Sequence, residues 1–117
     1  MMLGRPISVA VAERVGARLE VIAHPARIRL VDALDRGGEV SVGDLAGEVE
    51  VSVYDASQHL ALLRRAGVVA ARRQGRLRCY RLEDRSVLAV YEQVADRLRE
   101  QISQARSQFA DEDQEPE

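Results

Sequence analysis

Residues 52–82 read SVYDASQHLALLRRAGVVAARRQGRLRCYRL, and the periodicity changes midway. From Ser52 to Arg65 it is helical. Val53, Ala56, Leu60 and Leu63 fall on one face, and Tyr54, Gln58, Ala61 and Arg65 cluster on the other. Ser52 stands three residues ahead of Asp55 in a capping-box pattern, and Gly67 ends the helix. Val68 to Gln74 and Leu77 to Leu82 then read as strands, with Gly75-Arg76 at the tip of a β-hairpin.

Upstream, Ser41-Val42-Gly43-Asp44 repeats the same start signal before Leu45, Ala46 and Val49. Glu50-Val51 leaves a very short turn between the two helices, the arrangement of a helix-turn-helix. A helix-turn-helix followed at once by a basic hairpin reads as a winged helix. Val11, Val15, Leu19 and Ile22 mark a first helix. His24 starts a second, with Pro25 in its first turn and Gly37-Gly38 as its stop.

The last helix is expected from about Arg85 to about Phe109. Its stripe of Val87, Tyr91, Val94, Leu98, Ile102, Ala105 and Phe109 is close to a heptad seam. At ~37 Å it exceeds what so small a domain can cover, so a homodimer is expected through the first and last helices. Val11, Val15, Leu19, Val87, Tyr91, Val94, Leu98 and Ile102 are the candidate interface residues. The expected fold is mainly α with a small β-hairpin, in the order helix-helix-helix-helix-strand-strand-helix. One domain over residues 1–110 is expected, with 111–117 as an acidic, disordered tail.

Charge is segregated along the chain. The 117 residues carry 17 basic side chains, all arginine, against 19 acids, a net −2. Arg64 to Arg81 holds seven arginines and no acid, whereas Asp111 to Glu117 holds five acids and no base. Without that tail the chain is +3, since −2 plus 5 is +3. The overall figure therefore says little against nucleic acid, and the tail is a candidate competitor for the arginines. One cysteine excludes an internal disulfide and a CxxC zinc site. With no membrane span or signal peptide in the sequence, a cytoplasmic protein is expected. No Ser/His/Asp or Cys/His arrangement and no phosphate-binding glycine loop points to an enzyme, and no cofactor is expected.

The basic hairpin and its helix suit double-stranded DNA. Gln58 can pair with adenine, Arg65 can reach guanine or phosphate, and Ala61 can touch a thymine methyl. Ser52, Tyr54, Ser57 and His59 complete the candidate contacts on the helix, and the serine hydroxyls suit phosphate oxygens. Arg72, Arg73, Arg76 and Arg78 lie along the hairpin, where arginine can track the backbone or enter a narrow minor groove. Asp55 is assigned to the helix cap in preference to a base contact. The alternative to DNA binding is a winged helix used as a protein-interaction module.

The phrases IAHPARIRLVDAL (22–34), SVGDLAGEVEVSVYDASQHLALLRRAGVV (41–69) and RRQGRLRCYRL (72–82) together resemble the ArsR/SmtB family of winged-helix repressors. The resemblance implies a homodimeric repressor that an effector, often a metal, releases from its operator. It places the recognition helix at Val53 to Arg65 and the wing tip at Gln74 to Leu77. Where such proteins carry two thiolates at the start of the third helix, this chain has Ser41 and Gly43. Where they carry an Asp-His-His-Glu set on the last helix, it has Asp84, Ser86, Arg97 and Glu100. Two ligands of four are lost, and Arg97 brings a fixed positive charge, so no metal site is expected. His59 is weighed as a structural or phosphate-contacting residue, and Cys79 as a strand residue rather than a redox thiol.

Overall fold

The computed structural model describes residues 3–113. The chain parts into two compact units, one ending at Arg85 and the other beginning at Ser86.

In the first unit the order is α1 (Val9–Ile22), α2 (Pro25–Gly37), β1 (Glu39–Ser41), α3 (Val42–Val49), α4 (Val53–Arg65), β2 (Val69–Gln74) and β3 (Leu77–Leu82). Each helix start has a local cause. The hydroxyls of Ser8, Ser41 and Ser52 accept hydrogen bonds from the backbone N–H groups of Val11, Asp44 and Asp55 at 3.2, 3.2 and 3.0 Å. His24 does the same for α2, its Nδ1 accepting from Ala26 N at 3.1 Å. Gly67 leaves α4 with φ +76°, a backbone conformation that costs glycine little.

The core is made where α2, α3 and α4 meet the start of β2. Leu30, Leu34, Leu45, Leu60, Leu63 and Val68 are fully buried, each leucine worth about 1.5–3 kcal/mol of apolar transfer. Val53, expected on the inward face of α4, is 52% exposed; it lies on the first turn, where nothing packs over it.

The hairpin is as expected, with β2 and β3 antiparallel and Gln74 opposite Leu77. Gly75 has φ +62° at the first of the two turn residues, where a type II′ hairpin turn needs glycine. The sheet has a third strand that the sequence reading lacked. β1 pairs antiparallel with β3, setting Glu39 against Arg81, Val40 against Tyr80 and Ser41 against Cys79. Three residues are too few to show a period, and Ser41 doubles as the cap of α3.

Arginines tie the first unit together. From α1, Arg18 donates to the Ala66 carbonyl at the end of α4 and to the Asp84 carboxylate. Arg29 donates to the Val49 carbonyl at 3.0 Å, closing the end of α3.

The second unit is one helix, α5 (Ser86–Asp113). It runs three residues into the stretch expected to be a tail, and residues 114–117 lie outside those described. Among the described residues no helix is long and apolar enough to cross a membrane.

Candidate nucleic-acid interface

The exposed face of α4 is set by the burial of its other side. With Ala56, Leu60 and Leu63 fully buried, Tyr54 and Gln58 point outward. Tyr54 is 70% exposed, and its hydroxyl accepts a hydrogen bond from Gln58 Nε2 at 2.9 Å. This i,i+4 bond holds the amide in place on the open face.

Register divides the hairpin arginines between two faces, because cross-strand partners share a face. Arg73 lies opposite Arg78, and Ala71 opposite Tyr80. These face the same side as an open groove of about 500 Å³ between α4 and β3. Ser57, Ala61, Arg64 and Arg65 line it from the helix, and Arg78 and Tyr80 from the strand. The Arg78 guanidinium lies over the Tyr80 ring, 5.7 Å from its centre. A neighbouring hollow of about 190 Å³ is lined by Arg64, Ala71, Arg72, Arg73 and Arg78. Arg72 pairs with Cys79 in the register, on the other face. There its Nε donates to Glu39 Oε1 at 2.6 Å.

Folding also sorts the arginines by partner. Arg18, Arg36, Arg72, Arg81, Arg85, Arg97 and Arg99 each form an ion pair with a carboxylate. Among the described residues Arg5, Arg14, Arg27, Arg29 and Arg106 form none, Arg27 and Arg29 donating instead to backbone carbonyls. Arg64, Arg65, Arg73, Arg76 and Arg78 also form none, and these five cluster at the end of α4 and on the hairpin. Like charges directly opposite each other on a sheet are unfavourable, so the Arg73–Arg78 pair is an arrangement that an anion would relieve.

His59 departs from its expected place among the DNA contacts. It sits on the flank of α4 that meets α2, half-buried, with its ring 4.6 Å from that of His24. Its Nδ1 accepts from Arg27 Nε at 3.2 Å, and Arg27 also donates to the Val21 carbonyl at the end of α1 at 2.9 Å. Burial, then the His24 and Arg27 charges, hold the His59 imidazole below the usual histidine value against the opposing pull of Asp55. Arg64 and Tyr80, by contrast, were missed. Arg64 is the more legible of the two, standing beside Arg65 in the last turn of α4. Tyr80 is 4% exposed, and nothing in its sequence neighbours marks it as the floor of a groove.

The two positions of metal ligation implied by resemblance do not fit a cation. Ser41 uses its hydroxyl to cap α3. Asp84 is engaged by Arg18, and Arg97 Nη1 donates to Glu100 Oε2 at 3.2 Å. Among the described residues no three His, Cys, Asp or Glu side chains gather as a metal site would need. Cys79 is buried, with Sγ 3.8 Å from Gln74 Oε1.

Two apolar stripes remain uncovered. On α1, Val11, Val15 and Leu19 are 38%, 42% and 45% exposed; on α5, Val94, Leu98 and Ile102 are 54–56% exposed. Val90 and Phe109, also exposed, extend the α5 stripe. Val87 does not belong with them. At 2% exposure it has no surface left to offer a second chain. Tyr91 is half-buried.

A helix-turn-helix with a charged β-wing defines a winged helix-turn-helix protein. Comparison with known proteins agrees. A family model described as a helix-turn-helix domain matches residues 22–72. A transcriptional repressor SmtB homologue from Synechocystis is 38% identical over 94 residues, spanning 80% of this chain and 70% of the relative. The crystal structure of Rv0081 from M. tuberculosis superposes with a TM-score of 0.69 at 33% identity, covering 86% of this chain and 99% of that one. The homodimeric winged helix-turn-helix DNA-binding domain of a possible ArsR-family regulator from Mycobacterium bovis does so with a TM-score of 0.68 at 25% identity, covering 86% and 95%. The chain belongs to the ArsR/SmtB family of DNA-binding winged helix-turn-helix transcriptional regulators.

Proposed function

We propose that the protein represses transcription as a cytoplasmic homodimer bound to a near-palindromic operator. Two copies of α4 would enter successive major grooves. Gln58, held by Tyr54, would read base edges, with Ala61 and Arg65 beside it. Ser52 and Ser57 would meet phosphate. Arg73, Arg76 and Arg78 of the wing would hold flanking phosphate or minor groove. Arg72, already paired with Glu39, contributes less. The observation that carries this reading is the set of five arginines without carboxylate partners on one end of α4 and the wing.

The exposed stripes of α1 and α5 support the homodimer. Val11, Val15, Leu19, Val94, Leu98 and Ile102 are the residues it would cover. No cofactor enters this reading, and with both ligand sets disabled a release signal would be something other than a metal bound in those places.

The test begins with sequencing of duplexes selected by the purified protein. Affinity for the recovered site should fall steeply with salt, because arginine contacts release counterions. Alanine at Arg73 or Arg76 should lower affinity and flatten the salt slope by about 1. A protein-docking module would show no salt-dependent DNA binding, and that result would overturn the reading.

A further inference from the structure

Arg64 and Arg78 come from different elements yet border the same two spaces. Arg64 is in the last turn of α4 and Arg78 is on β3, and both line the 500 Å³ groove and the 190 Å³ hollow beside it. No carboxylate lines either space, and among the described residues neither arginine has an ion-pair partner. Arg78 is placed by its stacking on Tyr80, whose strand partners are Val40 and Ala71. Ser57 lines the groove from the helix side. Two arginines and a serine bordering one opening are residue types suited to a tetrahedral oxyanion, since a guanidinium offers parallel N–H groups to two oxygens.

We propose that Arg64 and Arg78 clamp a single phosphoryl group between α4 and the wing, with Ser57 as a further donor. The proposal rests on the DNA-binding reading and adds a site to it. The recognition helix and the wing are joined through one shared anion, rather than each tracking its own. A backbone phosphate and the phosphoryl group of a free small molecule present the same chemistry, and the experiment separates them.

Salt slopes are measured on the selected duplex for wild type, Arg64→Gln, Arg78→Gln and the double variant, with circular dichroism to confirm folding. A shared phosphate predicts that the double change lowers the slope by about 0.9 and that each single change lowers it by less, because the remaining guanidinium still neutralises the same phosphate. A loss of about 1.8 in the double variant, or no loss in any, overturns the clamp. In a second arm inorganic pyrophosphate is titrated at constant ionic strength, followed by the amide resonances of Ser57 and Arg78. Displacement of the duplex, absent in the double variant, upholds the clamp with a free phosphoryl ligand. No displacement with the shared slope loss intact upholds it with the DNA backbone as its ligand. If the wild type binds no duplex, the DNA reading fails and pyrophosphate alone decides. Resonance shifts that vanish in the double variant then uphold the clamp, and their absence overturns it.

Discussion

Leu98→Ala tests whether the α5 stripe is covered by a second copy of the chain. Leu98 is 54% exposed, so about half of its burial free energy is still available. Full burial of a leucine is worth about 1.5–3 kcal/mol, which leaves roughly 1 kcal/mol per side chain. In a two-fold dimer the same residue counts twice, so the change should weaken association by about 2 kcal/mol, or about 30-fold in the dimer dissociation constant. The monomer should lose little, because an exposed side chain contributes within about 0.5 kcal/mol to folding. Sedimentation velocity over a concentration series measures the first quantity, and chemical denaturation extrapolated to low concentration measures the second. Leu98→Glu should shift the equilibrium further, since it places two carboxylates at the seam. A wild-type dimer whose dissociation constant is unmoved by either change would show that the α5 stripe is not the interface. A wild-type chain that stays monomeric would refute the dimer itself.

Other substitutions probe the reading helix. Ser52→Ala removes the hydroxyl that accepts from Asp55 N and should cost about 1 kcal/mol, read as a Tm lowered by about 4–6 °C; an unchanged Tm would mean the cap is dispensable. Gln58→Ala should relax base preference at one position of each half-site while leaving the salt slope intact; an unaltered selection profile would remove Gln58 from base reading. His59 is held below its ordinary value of 6.5, so at pH values between the two the unfolded chain binds the extra proton. Stability is therefore lost as pH falls through 6.5 toward the lowered value. Denaturation midpoints taken over that range should fall in the wild type and flatten in His59→Gln, and parallel curves would show that His59 plays no part.

Most of the fold was legible because it is written locally. The caps at Ser41 and Ser52, the stops at Gly37-Gly38 and Gly67, and the two-residue turn at Gly75-Arg76 are short-range chemistry, and each lies where its residues suggest. The short strand β1 escaped because its partner, β3, lies about forty residues away in sequence, as in the Val40–Tyr80 pair. The placements that sequence did not foretell at the site have the same origin. Val87 and Leu98 occupy similar places in one heptad pattern, yet one is 2% and the other 54% exposed. Periodicity gives the face of a helix and says nothing of how exposed each position on that face will be. His59 lies one residue from Gln58, but a 100° step turns it toward Arg27 and His24.

From the sequence alone came the order of elements, the density of arginine between Arg64 and Arg81, and the loss of the family's thiolates and imidazoles. Residue type and spacing are sufficient for these. Tertiary structure alone decided which arginines remain available. Arg72 and Arg73 are neighbours of identical chemistry. Strand alternation sends Arg72 toward Glu39 and leaves Arg73 beside Arg78. An ion pair depends on what the fold brings within a few ångströms, and Glu39 lies more than thirty residues from the arginine it engages.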